Sequence, residues 1–276
     1  MIVGTFLLTT QDGITKWLTS AHGAGEIVFY RGILSLLMVA VLVQAQGGIA
    51  VVRANRPGVN WLRAGLALLT SVLVVAAFVH MPLADALAII FLSPLIVTAL
   101  SALLLGEPVG WRRWSAVAMG FVGMLMITRP TGAGIDWHVG IPIAAAFAAS
   151  FRDIVTRRLG GQDSTLTVLT YSSVVAALGG ALFLPFADTV PNLPNLGLFA
   201  IAALLATASN FLTIRSFQLA PAAMVAPFKY LSLIWAGLIG FVVWGDQPDA
   251  WKILGAALIA GSSLYVLHRE TRRRNR

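Results

Sequence analysis

The chain contains no cysteine, which excludes disulfides and thiolate metal sites. Charge is scarce too: Asp, Glu, Lys and Arg make up 11% of its 276 residues, against about 25% in an ordinary soluble domain. That deficit excludes a soluble fold of this size. Histidine is limited to His22, His80, His138 and His268, which fall at the ends of hydrophobic runs and far apart in sequence. With no His-x-x-x-His, no Gly-x-Ser-x-Gly and no phosphate-cradling glycine loop, metal, serine and direct ATP chemistry lack their parts. The chain is therefore expected to hold no metal, to need no cofactor and to catalyse no reaction.

What the chain has in quantity is apolar sequence: 58% of its residues are hydrophobic and its mean hydropathy is +0.85. Apolar runs of about 20 residues, the length that crosses a bilayer, are separated by turn chemistry. The spacing predicts ten spans, over 2–20, 26–45, 62–80, 82–105, 111–128, 138–158, 165–186, 196–217, 221–244 and 250–268. Gly47 through Gly58, Pro130 through Gly134 and Pro191 through Asn195 supply the main breaks. Pro82 and Pro221 fit the first turn of their spans, where a missing N–H costs nothing. The first segment carries Asp12 and Lys16 and lacks a basic leader, so it is expected to remain as a span and not to be cleaved.

The sequence also repeats itself. Residues 1–130 and 137–276 read as two copies of one five-span unit. Asp12 and Lys16 match Asp153 and Arg157, Pro82 and Ser93 match Pro221 and Ser232, and Gly106-Glu107-Pro108 matches Gly245-Asp246-Gln247-Pro248. An odd number of spans per copy inserts the second copy upside down, which is the common plan of secondary transporters with a central site. The fold expected is an all-α integral membrane bundle of two inverted five-helix repeats around a cavity.

The basic residues set the orientation. Arg53, Arg56, Arg63, Arg112, Arg113, Arg157, Arg158 and Arg215 share one side with Arg269, Arg272, Arg273, Arg274 and Arg276. The other side keeps Arg129 and Lys252 among five acids. By the positive-inside rule both termini are expected in the cytoplasm, with the chain in the cell (inner) membrane. The arginine tail reads as an anionic-lipid contact. The chain's +8 net charge does not point to nucleic acid, because no stacking aromatics accompany the basic tail. Trp17, Trp61, Trp111, Trp114, Trp137, Trp244 and Trp251 lie near span ends as interfacial anchors. Ala116 with Gly120, and Ala256 with Ala260, are small-xxx-small steps that let helices approach closely.

On these features the chain resembles the drug/metabolite transporter superfamily, EamA type. The resemblance rests on the doubled five-helix unit, Asp12 with Lys16, Phe29-Tyr30-Arg31, Gly106 to Pro108 and Gly245-Asp246. It implies that spans one to four and six to nine surround a central cavity, with the fifth and tenth outside that ring. It implies a transporter of amino acids, other metabolites, nucleotide sugars or drugs. The chain departs from a duplicated pattern at Ser172, which stands opposite Arg31.

An ionisable group in a span costs about 2.5–3.5 kcal/mol on insertion scales and calls for a reason. Asp12, Lys16 and Arg31 form one group near the outer side; either they neutralise one another as a packing triad, or Arg31, held by Asp12, binds substrate. Lys229 follows Pro227, which opens the backbone in span nine; either it pairs with Asp153 structurally or it faces the cavity. Asn210 and Ser93 are neutral mid-span candidates, and Tyr30 and Tyr171 occupy matching repeat positions. Pro94 is expected to bend span four. Lys16, Arg31 and Lys229 outnumber Asp12 and Asp153, so the expected substrate is an amino acid, another zwitterion or a carboxylate, moved by alternating access. Uniport, substrate exchange and proton coupling through Asp12 all fit. An exporter of drugs or organic cations is the alternative; a membrane enzyme, a channel and a scaffold fit less well.

Overall fold

The structure, a computed structural model, describes residues 1–105, 111–128, 137–159, 163–186, 191–219 and 226–274. Gly106-Glu107-Pro108, Pro130 through Gly134, Pro221 and the side chains of the arginine tail lie outside the described residues. Helix occupies each of the ten expected spans: α1 Ile2–Leu18, α2 Ala24–Ala45, α3 Pro57–His80, α4 Leu83–Ile90, α5 Ser93–Leu105, α6 Trp111–Thr128, α7 Gly140–Leu159, α8 Thr165–Ala181, α9 Leu193–Leu219, α10 Leu231–Trp244 and α11 Ala250–Arg274. No strand occurs among the described residues.

The fourth span is two helices because of Pro94. Proline has no N–H to give the carbonyl of Ile90, four residues earlier, and α4 stops there. At the break, the Ser93 carbonyl accepts from the Ser150 hydroxyl of α7 at 3.0 Å. Span nine is broken in the same region: the 3₁₀ turn Ala226–Tyr230, which contains Pro227, precedes α10. At its far end α10 closes with Gly245 at φ 71°, whose N–H meets Phe241, while the Asp246 N–H meets Gly240. The left-handed Gly245 with its bond back to Phe241 is an αL cap, which gives the glycine of the Gly245-Asp246 motif its physical reason. The third helix begins at Pro57, five residues before the expected start at 62, with proline at its first turn.

Five stretches, 24–45, 57–80, 83–100, 137–156 and 193–213, are long and apolar enough to cross a membrane by length and composition. Leu37, Val41, Leu178, Phe211 and Val242 are each at least 60% exposed. On a soluble protein such a belt would aggregate; on this chain it faces lipid. The protein is a multi-pass membrane protein.

Hydrophobic burial drives little between helices in lipid, so close packing and polar ties carry the association. The tightest approaches join helices before residue 130 to helices after 137: α1 with α9, α2 with α8, α3 with α7, and α6 with α11. Glycine makes two of them possible. A Cβ on Gly180 would stand 2.6 Å from the Phe29 backbone, and one on Gly123 would stand 2.6 Å from the carbonyl oxygen of Gly255. Leu18, Ile27, Val28, Val75 and Phe199 form one core cluster beside α1 and α2; Leu92, Leu95, Ile96, Val117, Ile127 and Ile259 form another beside α5, α6 and α11.

Candidate functional site

Two charged layers lie inside the bundle. The first is Asp12 of α1 with Arg31 of α2. Both are half-buried, and each acts electrostatically on the other. They make no ion pair within 4.0 Å. Arg31 donates to the Ser71 hydroxyl of α3, while the Asp12 carboxylate has no hydrogen-bond partner among the described residues. A carboxylate facing a guanidinium across a gap suits a ligand group that donates to one and accepts from the other. A zwitterion or a donor–acceptor edge has that chemistry.

Lys16 does not join that layer. Its long arm reaches past the top of α3, where the terminal carbonyls lack intrahelical partners. Nζ donates to Met81 at 2.6 Å and to Phe78 at 3.3 Å, and sits 5.4 Å from the Trp244 ring centroid. The acids that act on it are Asp246 and Asp85, and Asp85 is itself held by Lys252 at 2.6 Å. The expected Asp12–Lys16–Arg31 triad is therefore divided, because Lys16 finds better acceptors at a helix end than a carboxylate one turn away.

The second layer lies toward the end of the bundle where α1 begins. Asp153 of α7 is paired with its neighbour Arg152 at 2.9 Å. Arg63 of α3 donates to Thr156 of α7 and to Ser172 of α8, each at 3.0 Å. Lys229 is exposed, and Asp153 and Arg152 are charges that act on it. Asp153 and Lys229 thus share a layer, with Arg152 as the direct partner of the acid. Arg63 is the residue that sequence reasoning missed. With a span starting at 62 it reads as a charge at the span's edge, flanking the loop, and Pro57 was the signal that would have carried it a turn and a half into the helix. Ser172, which stands opposite Arg31 in the repeat, receives its guanidinium from α3 instead of α2.

The remaining candidates are spread around these layers. Tyr30 stacks on Phe199 with centroids 5.2 Å apart, and Tyr171 meets Trp61 edge-on at 5.0 Å. Ser93 is buried beside α7 through the Ser150 bond. Asn210 is exposed, and the interhelical bond comes from its neighbour Ser209, which donates to the Gly4 carbonyl at 2.7 Å. Near the opposite end, buried Glu26 holds His22 at 2.9 Å, and Asn195 meets the other ring nitrogen at 2.7 Å. No group of three or more His, Cys, Asp and Glu suited to a metal occurs among the described residues.

The EamA-like transporter family model matches the chain twice, over residues 1–129 and 137–267. The chain belongs to that family. Among its EamA relatives is a riboflavin transporter of Rhizobium johnstonii, 30% identical, the alignment covering 99% of this chain and 91% of the relative. An S-adenosylmethionine uptake transporter of Rickettsia prowazekii is 24% identical over 94% of this chain and 88% of its own. The pseudopaline exporter CntI of Pseudomonas aeruginosa is 28% identical over 94% and 91%. A solved crystal structure superposes with a TM-score of 0.63 at 18% identity, over 97% of both chains, a likeness that concerns the fold alone. The family and its relatives point to transport and not to an enzyme.

Proposed function

We propose that this chain is a secondary transporter that moves a small polar metabolite through a central site by alternating access. The observation that carries the reading is the divided pair of Asp12 and Arg31, half-buried at matching depth and separated by more than hydrogen-bond distance. A structural ion pair would close; a binding site keeps its donor and acceptor apart for the ligand. A zwitterion or carboxylate is the favoured cargo, because Arg31, Lys229, Arg63 and Arg152 exceed Asp12 and Asp153 in number. The named substrates of two relatives, riboflavin and S-adenosylmethionine, are polar and of metabolite size, and the second carries an amino-acid group. One relative takes up its substrate and another is an exporter, so membership does not set direction.

The packing pattern supports an inverted repeat. Exchanging the halves carries α1 onto α7, α2 onto α8, α3 onto α9, α4 with α5 onto the 226–230 turn with α10, and α6 onto α11. Under that exchange the α1–α9 contact becomes α7–α3, and α2–α9 becomes α8–α3; α1–α10 becomes α7 against α4 and α5. The α2–α8, α4–α10 and α6–α11 pairs map onto themselves. Two such halves can rock about the site between them. The basic loops favour both termini in the cytoplasm by the positive-inside rule, and Lys16 serves as an outer tie between α1 and α3. Asp12, without a direct partner among the described residues, is the group a coupled proton would occupy.

Counterflow in proteoliposomes tests the reading, with riboflavin, S-adenosylmethionine, amino acids, dicarboxylates and an organic cation as cargo, and Arg31→Ala alongside. Saturable exchange of a zwitterion or anion that collapses in the variant is the expected result. Exchange confined to the organic cation and indifferent to Arg31 would refute it.

A further inference from the structure

The two charged layers differ in balance. Asp12 and Arg31 sum to zero. In the second layer Arg63, Arg152 and Lys229 carry three positive charges against the single negative charge of Asp153, among the described residues. Like charges face one another: Arg152 acts against both Arg63 and Lys229. Snorkelling to lipid phosphates does not account for Arg63. Arg63 is tied inward, to hydroxyls on two other helices, and that uses two of a guanidinium's five N–H donors. The level is also shared. Arg63 lies six residues past Pro57, Asp153 six before Leu159, and Ser172 seven past Thr165, each about 10 Å from a helix end at 1.5 Å per residue.

We propose that Arg63, Arg152 and Lys229, set around Asp153 and backed by Thr156 and Ser172, form a second subsite that takes a doubly charged anionic group. A phosphate monoester or a pair of carboxylates has the required charge. Planar guanidinium forks bind either one bidentately, and the lysine adds a point charge. The subsite lies on the path between the Asp12–Arg31 layer and the end of the bundle where α1 begins, so it holds the anionic end of a cargo whose polar head sits at Arg31. The assignment rests on the transporter reading for its role, but not for its chemistry.

Binding tests it without flux. Purified full-length protein is titrated with methyl phosphate, succinate, acetate and tetramethylammonium at matched ionic strength, reading thermal stabilisation and calorimetric affinity. The expected result is a shift of several degrees with methyl phosphate or succinate, and none with acetate or the cation. Whichever of the two dianions binds more tightly identifies the group. Arg63→Gln and Lys229→Gln each weaken that binding at least tenfold. Should those variants fail to fold, the wild-type protein decides by pH. Methyl phosphate gains its second charge near pH 6, so its affinity rises several-fold from pH 5 to 7.5. Equal stabilisation by acetate, or affinity for the tighter-binding dianion that is flat with pH, overturns the proposal. Dianion binding with no flux of any cargo leaves this subsite standing and sinks the transporter reading; saturable flux with no dianion binding does the reverse.

Discussion

Replacing Arg31 by glutamine leaves Asp12 as a half-buried carboxylate whose only electrostatic partner among the described residues is gone. The two groups are separated by more than 4.0 Å. At about 6 Å and an effective dielectric of about 20, their attraction is ~3 kcal/mol. The lost Ser71 bond adds about 1 kcal/mol, because glutamine is too short to replace it. Arg31→Gln alone is therefore expected to destabilise by about 3–4 kcal/mol. For a chain of this size that lowers Tm by roughly 6–15 °C, at about 2–4 °C per kcal/mol. Asp12→Asn in the same protein removes the stranded charge, and Tm returns most of the way, leaving a coupling of about 2–3 kcal/mol in the double-mutant cycle. The assay is thermal unfolding in one detergent for wild type, both single variants and the double variant. Additive losses, with the double variant worse than either single one, would refute the claim that these residues act as a pair across a gap.

Gly123→Ala puts a Cβ 2.6 Å from the Gly255 carbonyl oxygen, forcing α6 from α11 at a cost of about 1–3 kcal/mol. Since that pair lies away from both charged layers, Tm should fall while the KM for transported substrate stays unchanged. Lys16→Met removes the tie to the Phe78 and Met81 carbonyls and is expected to cost about 1–3 kcal/mol; a loss of substrate affinity without loss of Tm would instead place Lys16 in the binding site. Asp163 lies in the loop between α7 and α8. The Asn55 backbone N–H and then the Asn60 side chain hold its carboxyl below the usual carboxylate value of 3.8. A lowered folded-state value stabilises above the unfolded pKa, and that stability is lost as pH falls through the folded one. Wild type should therefore melt above Asp163→Asn at pH 7, with the gap closing below about pH 4; a gap that widens in acid contradicts the assignment.

Much of the fold could be read in the sequence because membrane spans obey few rules, and those rules leave marks. Apolar length located the ten helical spans, and Pro94 announced the break between α4 and α5 through the hydrogen bond it cannot make. The candidate site was less legible. Asp12 and Arg31 were visible as charges that a bilayer resists, but helical spacing says nothing about where a flexible side chain ends. Spacing alone put Lys16 with Asp12, whereas the freed carbonyls of α3 draw it away. Arg63 was hidden by a helix start misplaced by five residues, so a cation bonded to Ser172 and Thr156 was counted as a flanking charge at the span's edge. The His22–Glu26–Asn195 chain left no mark, since its members come from α2, the turn before it and the start of α9.

Because the chain carries no cysteine, a single introduced thiol reports access without background. Ser71→Cys, beside Arg31, in sealed proteoliposomes exposed on either side to a membrane-impermeant maleimide, tests most directly whether this layer is a cargo site. The account predicts labelling from both sides, slowed several-fold from each by a transported substrate and not by a non-substrate of equal charge. Labelling from one side only, unchanged by any substrate, would contradict alternating access at the Asp12–Arg31 layer.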